Sequence, residues 1–404
     1  MHVLWVKTDL LHPVNSGGRI RTYEMLREIS RQHEVTYLAL DDGRVTPDAL
    51  RRASEYSARV ELVPHAVTSK TDPRFFVELG LNLTSDRPYV LDRYKSQEMG
   101  DRVTRLCDTG VDVVVCDFLF PAPSMPASLP VPRVLFQHNV EAKIWERHAQ
   151  VGRTPFHRAY FRLQHQRMHR AERELCEQFD WVVAVSEKDA TTFREEYGLD
   201  RVSSIPTGVN TSFFAAGDPA ERRPNHIVFL GSMDWMPNID GVQWFTEEVL
   251  PRVRETLPDV TFSIVGRDPT PAVRALQGNG VTVTGTVDDV RPYLNEASLF
   301  VVPLRVGGGT RLKLYEGMST GIGTLSTTIG AEGLPLVAGV HLRIADDAGA
   351  TARAVVDLLR DREGTQAMGT RAATHVREHF GWESVARSFM DVCEQVRTAP
   401  VAVV

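Results

Sequence analysis

The sequence predicts an α/β protein made of two doubly wound, parallel-sheet domains in series. Three observations predict it. At 404 residues the chain exceeds one ordinary hydrophobic core and suits two domains of about 150–200 residues each. Short, fully apolar runs alternate with longer amphipathic stretches, as parallel strands do when helices cover both faces of their sheet. One aperiodic stretch, PTGVNTSFFAAGDPAERRPN at 206–225, interrupts that alternation near the middle of the chain.

In the first half HVLWV, EVTYLAL, ARVELV, DVVVCDF, RVLFQHN and WVVAVS read as strands. In the second half HIVFLG, VTFSIVG, VTVTG, LFVVPL and GTLST do. RIRTYEMLREISRQ and VQWFTEEVLPRVRETL space their apolar residues as helices. FGWESVARSFMDVCEQV, after a glycine break, reads as a closing amphipathic helix. The expected domains are therefore 1–205 and 226–380, with 206–225 as linker and 381–404 as a terminal segment. Open parallel sheets bind ligands at the carboxyl ends of their strands, near topological switch points. Two such edges are expected to face each other across a cleft, with the chemistry on the loops that follow the strands.

Composition bounds the function. With 42% hydrophobic and 24% charged residues the chain is a soluble globular type, and its net charge of -6 argues against general nucleic-acid binding. Cys107, Cys116, Cys176 and Cys393 are scattered and never spaced as CxxC, so free thiols in a reducing compartment are expected and no zinc site is. MHVLWVKTDL suits a first strand better than a signal peptide, and no run approaches the ~18 apolar residues that span a bilayer. A cytoplasmic placement is expected, with any membrane contact peripheral and at the inner face.

The most informative stretch is GGGTRLKLYEGM at 307–318, between the strand-like LFVVPL and a helix read as 310–318. Arg311 and Lys313 fall in its first turn, where the helix dipole already places about half a positive charge. Two cations there call for an anion. Glycine-preceded helix N-termini bind phosphate, because free N–H groups point outward and no Cβ blocks approach. Glu316, one turn on, is placed to accept hydrogen bonds from hydroxyls. Diphosphate plus hydroxyls points to a nucleotide sugar.

Four other constellations follow. NSGGRIRTYEML at 15–26 offers Gly17 and Gly18 as a backbone cradle, although GxGxxG is absent and a flexible turn with an exposed Arg19 fits as well. FQHNVEAKIW at 136–145 puts His138, Asn139 and Glu141 at a strand end, where a structural and a functional histidine fit equally. FLGSMDWMPNIDG at 229–241 sets Asp234 and Trp235 after a strand, Trp235 packing either on a ligand ring or into the protein. From Lys143 to Arg173 the chain carries Arg147, Arg153, Arg158, Arg162, Arg167 and Arg170 with only Glu146 and Glu172 as acids. A solvated face explains that stretch, and attraction to anionic lipid is its alternative. Nothing in the sequence requires a metal, and no cofactor beyond the nucleotide-sugar substrate is expected.

GGGTRLKLYEGMSTGIGTLSTTIGAEGL resembles the donor-binding motif of glycosyltransferase family 4, retaining enzymes of the GT-B fold. GSMDWMPNIDGVQWF, GTVDDVRPYL and QHNVEAKIW extend the resemblance towards its bacterial exopolysaccharide and surface-glycan branch. The resemblance implies an acceptor-binding N-terminal domain, a nucleotide-sugar-binding C-terminal domain and a terminal helix crossing back to the first. It implies that Glu316 binds the ribose hydroxyls, that the backbone of Gly308, Gly309 and Thr310 holds sugar and diphosphate, and that the backbone around Val287 meets the base. It places His138 beside the reacting sugar and Gly17-Gly18 near the diphosphate.

Two departures stand out. The family often has two glutamates separated by seven intervening residues, and the earlier position here is Gly308. The family also often carries Arg and Lys after the first strand of the second domain. Here Ser232 stands near the Arg position and the turn around Asp240 supplies no Lys, which leaves Arg311 and Lys313 as replacements. The implied activity is metal-independent transfer of a hexose-type sugar, with retention, from a UDP- or GDP-linked donor to a hydroxyl acceptor (a glycan, a lipid-linked acceptor or a small molecule). A sugar-nucleotide 2-epimerase of similar shape and a catalytically silent partner in glycan assembly are the alternatives.

Overall fold

The computed structural model describes residues 1–69, 72–151, 155–306 and 311–398. The chain divides into two compact units. Unit 1 is Met1–Pro206 with the segment from Val385 onward, and unit 2 is Thr207–Ser384.

Unit 1 is built on a seven-stranded sheet in the order β3-β2-β1-β4-β5-β6-β7. Its strands are β1 (His2–Lys7), β2 (Glu34–Asp41), β3 (Arg59–Pro64), β4 (Val113–Asp117), β5 (Arg133–Gln137), β6 (Trp181–Ala184) and β7 (Val202–Ser204). Unit 2 has six strands in the order β10-β9-β8-β11-β12-β13: β8 (His226–Leu230), β9 (Thr261–Val265), β10 (Val281–Gly285), β11 (Leu299–Val302), β12 (Thr324–Ser326) and β13 (Arg343–Ile344). Every pairing is parallel. Both units are therefore doubly wound, as the strand–helix alternation predicts. The strands at each centre are apolar because helices close both faces: Val3 to Val6 of β1 and Ile227 to Phe229 of β8 are all fully buried.

All the strands expected from the sequence are present. The expectation lacked β7 and β13, edge strands of three and two residues that are too short to show a period. Residues 207–225, expected as a linker, fold with unit 2. Phe214 joins its core, Val209 N donates to Phe380 O at 2.7 Å, and Arg223 N donates to Glu296 O at 2.7 Å. Lack of periodicity there marks irregular backbone rather than a free tether.

Among the helices, α1 (Gly17–Ile29), α2 (Pro73–Asn82), α3 (Glu141–Val151) and α4 (Pro155–Cys176) belong to unit 1, and α5 (Met236–Trp244) and α6 (Leu312–Ser319) to unit 2. The closing helix α7 (Trp382–Thr398) joins unit 1 from Val385 onward, where Phe389 is buried against Trp5 and Phe136 at ring distances of 5.4 and 5.2 Å. Strand order reverses between β1 and β4 in unit 1, and between β8 and β11 in unit 2. Those two switch points are where polar side chains collect.

Candidate functional site

At the switch point of unit 1 lies a buried polar cluster centred on Asp117, the last residue of β4. Its Oδ2 accepts from Trp5 Nε1 at 2.9 Å and from Thr22 Oγ1 at 2.6 Å. Its Oδ1 lies 3.0 Å from Lys7 Nζ and 2.8 Å from His138 Nε2. Lys7 ends β1 and His138 follows β5, so three adjacent strands aim their terminal polar side chains at one point. A buried carboxylate costs several kcal/mol unless it is paired and hydrogen-bonded. Four partners meet that requirement.

Burial alone would raise the Asp117 pKa, but Lys7, His138 and the Thr22 hydroxyl outweigh it and hold the carboxyl far below the usual range. Burial lowers His138 to about 4 despite the pull of Asp117, and Lys7 and Arg21 add to the lowering. The imidazole is therefore neutral at pH 7. Because a carboxylate only accepts, its proton is assigned to Nε2, which leaves Nδ1 as an acceptor. Nδ1 faces Gly18, where a Cβ would stand 3.4 Å away. Gly17 and Gly18 open α1, whose N-cap residue Ser16 makes no side-chain cap.

That approach makes a test. Gly18→Val pushes branched carbons into the His138 ring and is expected to lower turnover about 100-fold, the usual effect of a misplacement near 1 Å at a reacting centre. Gly17→Ala has nothing within 4 Å of its new methyl and should leave turnover unchanged. Comparing kcat for the two variants decides whether the position of His138 matters.

In unit 2 the switch point is built from the end of β8, the end of β9 and α6. The Gly231-Ser232 turn passes so close to Gly266 (φ +156°) that a Cβ at 266 would lie 1.7 Å from the Gly231 carbonyl oxygen. Beneath this turn Lys313, in the first turn of α6, donates to Asn238 Oδ1 at 2.6 Å and stands 4.6 Å from the Phe229 ring centre. A Cβ at Gly231 would stand 2.6 Å from Asn238 Nδ2 and 2.9 Å from Lys313 Nζ, so glycine leaves room for both side chains beside the turn. Asn238 Nδ2 in turn donates to the Ser232 carbonyl at 2.7 Å. Burial lowers Lys313 to about 7, with Glu316 opposing. Burial raises the Glu316 carboxyl, with Lys313 opposing. No described residue donates a hydrogen bond to Glu316.

Ser232 accepts from Arg267 Nε at 2.9 Å and donates to Asp234. The Arg267 backbone carbonyl also accepts from Met233 N at 2.8 Å, which fixes this largely exposed arginine at the turn. The position left without a cation in the sequence thus receives one from the neighbouring strand. Near Asp240 the same happens: Arg305, just beyond β11, pairs with its carboxylate at 2.6 Å.

Arg311 is placed differently from its expectation. The helix begins at Leu312 rather than 310, and Arg311 is its N-cap residue. Its guanidinium donates to the Ile329 carbonyl at 3.2 Å, in the loop after β12, and only 3% of the residue is exposed. Burial lowers its pKa, with Glu332 opposing. Val287 lies after β10, partly buried on the core of unit 2. Trp235, the N-cap residue of α5, is exposed. Gly308, Gly309 and Thr310 of the glycine run, and Arg153 of the basic stretch, lie outside the described residues.

Sequence reasoning missed Lys7, Thr22, Asp117, Asn238 and Arg267. A polar residue closing an apolar strand, as in HVLWVK and VVVCD, was the available signal for two of them. Among the described residues no group of three or more His, Cys, Asp or Glu is placed to hold a metal, and no helix is long and apolar enough to cross a membrane. All four cysteines are free and buried.

Both halves of the chain match known families. Residues 15–213 match the family described as Glycosyltransferase Family 4, and residues 224–361 match Glycosyl transferases group 1. A curated relative, an uncharacterized 44.6 kDa protein in the cps region of Klebsiella pneumoniae, is 22% identical over 226 residues. That match covers 54% of this chain and 57% of the relative, little more than half of either. Among solved structures, a glycosyltransferase from Rickettsia africae superposes with a TM-score of 0.62 at 13% identity, covering 99% of each chain. Sucrose-phosphate synthase from Thermosynechococcus elongatus gives 0.65 at 15% identity, covering 99% of this chain and 100% of its own. Anabaena HepE in complex with UDP gives 0.64 at 12%, covering 98% and 100%. These likenesses establish the GT-B fold and a relationship to family 4 glycosyltransferases.

Proposed function

We propose that this chain transfers a hexose-type sugar from a nucleoside-diphosphate donor to a hydroxyl acceptor, with retention at the anomeric carbon. One observation carries the reading: α6 presents, one turn apart, a buried ammonium and a carboxylate to which no described residue donates a hydrogen bond. A diphosphate complements Lys313, and ribose hydroxyls complement Glu316. Arg267 and the Ser232 turn add donors for the same diphosphate. HepE has been solved with UDP and with UDP-glucose, which favours a UDP-linked donor over a GDP-linked one. The capsule-region relative favours a surface-polysaccharide acceptor.

In the proposed reaction the bond from anomeric carbon to diphosphate oxygen breaks and a bond to the acceptor oxygen forms on the same face. The acceptor proton passes to the departing diphosphate. Preorganised donors at the developing charge contribute about 3–4 kcal/mol each to such a transition state. Lys313 and Arg267 take that role, with Arg311 holding the loop after β12. Asp117 is enclosed by its four partners and is no nucleophile. His138, neutral, presents Nδ1 to a sugar hydroxyl rather than acting as an acid.

The test begins with thermal stabilisation by UDP-glucose and GDP-mannose, since a ligand at 100 times its Kd adds about 2.7 kcal/mol. Glu316→Ala is expected to weaken donor binding roughly 10- to 100-fold, the loss of charge-assisted hydrogen bonds. Arg267→Ala is expected to lower turnover more than binding. If both variants bind and turn over donor as the wild type does, the assignment is wrong. Product analysis should show a new glycoside, and an epimerised sugar nucleotide in its place would overturn the transfer reading. Turnover is expected to survive chelator.

A further inference from the structure

The turn that carries His138 is held at both ends by one carboxylate from another helix. Strand β5 ends at Gln137 and α3 begins at Glu141, so residues 138–140 make the whole connection. Val140 stands where a helix ordinarily has its capping oxygen, and its apolar side chain joins the core of unit 1 instead. The first amides of α3 are thus left for a partner elsewhere. Glu172, on α4 and 30 positions beyond Ala142, is that partner. Its Oε1 accepts from Glu141 N at 2.8 Å and its Oε2 from Ala142 N at 2.9 Å. Oε1 also accepts from Gln137 Nε2 at 3.3 Å, and Oε2 from the Tyr197 hydroxyl at 2.8 Å.

Glu172 is completely buried. A carboxylate in such a place is costly unless donors surround it. Here it has four, two of them at a helix N-terminus, where negative charge is favoured. Glu141 is a second buried acid beside it, and no described residue donates a hydrogen bond to its carboxyl. Burial raises both groups, but the Ala142 and Glu141 amides and the Tyr197 hydroxyl oppose it at Glu172 alone. The negative charge of the pair therefore belongs to Glu172 and the proton to Glu141. Gln137 is buried as well. Its Oε1 has no partner among the described residues, and its Nε2 is shared between Glu172 and Cys176 Sγ.

We propose that Glu172 is a positioning residue for sugar transfer: it fixes the backbone of the 138–140 turn from both sides, as Asp117 fixes the His138 ring. The inference rests on the assignment of His138 to the sugar site. In the sequence Glu172 figured only as an acid within a basic stretch. A carboxylate suits the task because every group it must hold is a donor. In Glu172→Gln, whichever way the amide turns, its NH₂ faces one of the two backbone N–H groups that begin α3. The turn then loses a fixed end, and His138 moves with it.

Kinetics and imidazole nitrogen NMR on the full chain test the proposal. Glu172→Gln is expected to lower kcat for UDP-glucose turnover about 100-fold with KM unchanged, the effect of a misplacement near 1 Å. Gln137→Met, similar in length and without a donor, frees only the strand end and should fall between that variant and wild type. Tyr197→Phe removes a bond to the same carboxylate that touches no part of the turn, so it should melt at lower temperature and keep wild-type kcat. In the spectra at neutral pH the His138 signal is identified by its loss in His138→Gln. Wild type and Tyr197→Phe should show one fixed Nε2–H tautomer, and Glu172→Gln and Gln137→Met an average of two. If Glu172→Gln and Gln137→Met keep both the wild-type signal and kcat, the proposal is overturned. It is also overturned if Tyr197→Phe lowers kcat as far as Glu172→Gln, since the carboxylate then serves stability alone. Wild type that turns over no UDP-glucose removes the transfer reading, and the spectra then decide whether Glu172 holds the turn.

Discussion

Asp117→Asn is expected to destabilise unit 1 by about 3–5 kcal/mol, the usual result of stranding one partner of a buried ion pair. Lys7 is 7% exposed and loses its counter-ion at 3.0 Å. The amide cannot rescue it by turning. If its oxygen stays with Trp5 and Thr22, its NH₂ meets the ammonium and His138 Nε2–H, donors all. Turnover should fall with stability, because the imidazole loses the group that fixes its proton. Adding Lys7→Met should recover part of the loss, since the pair is coupled and the stranded charge is then gone. Urea melts of both variants check this, and an Asn variant within 1 kcal/mol of wild type would sink the account. His138 supplies a pH signature. Its folded pKa, about 4, lies below its ordinary 6.5, so the unfolded chain binds more protons between those values. Stability should therefore fall by up to about 3 kcal/mol as pH drops from 6.5 to 4, and His138→Gln should flatten that slope.

That cluster also shows where the sequence stops being legible. The apolar runs announced every central strand, because burial on both faces leaves no room for polar residues. Lys7 and Asp117 lie 110 positions apart, and nothing local says that β1 and β4 are neighbours. Sheet order alone brings them together. Arg267 was hidden for a similar reason. It answers a vacancy at Ser232, but from the next strand, through a glycine-to-glycine approach that no linear motif records. Phe214 looked like part of a tether because irregular backbone and free backbone have the same composition. Lys313 was found by helix electrostatics, yet the two cations of that argument part company in the fold. One lies under the β8 turn beside Asn238, and the other reaches the loop after β12.

Lys313→Met is expected to move stability and turnover in opposite directions. The ammonium is held at a pKa of about 7 by burial, down from 10.5, so folding costs up to about 5 kcal/mol at neutral pH through this one charge. Methionine has similar length and no charge to desolvate. It leaves Asn238 Oδ1 without its donor, which takes back roughly 1–3 kcal/mol. The net expectation is a folded state stabilised by up to roughly 2–4 kcal/mol. Turnover should fall about 100- to 1000-fold, as when one preorganised donor to a developing charge is removed. Lys313→Arg should not rescue it, because the site holds a compact ammonium 2.6 Å from Asn238 Oδ1, which a planar guanidinium on a different stem does not reproduce. The pH dependence has a definite sign. Between about 7 and 10.5 the unfolded chain holds the proton and the folded one does not, so wild type gains stability as pH rises through that window. The methionine variant lacks that gain. Wild-type turnover of the free enzyme should decline over the same window, since the neutral amine cannot offset a leaving diphosphate. A variant that loses stability along with turnover makes Lys313 a structural residue, and one that keeps full turnover removes it from the leaving-group site.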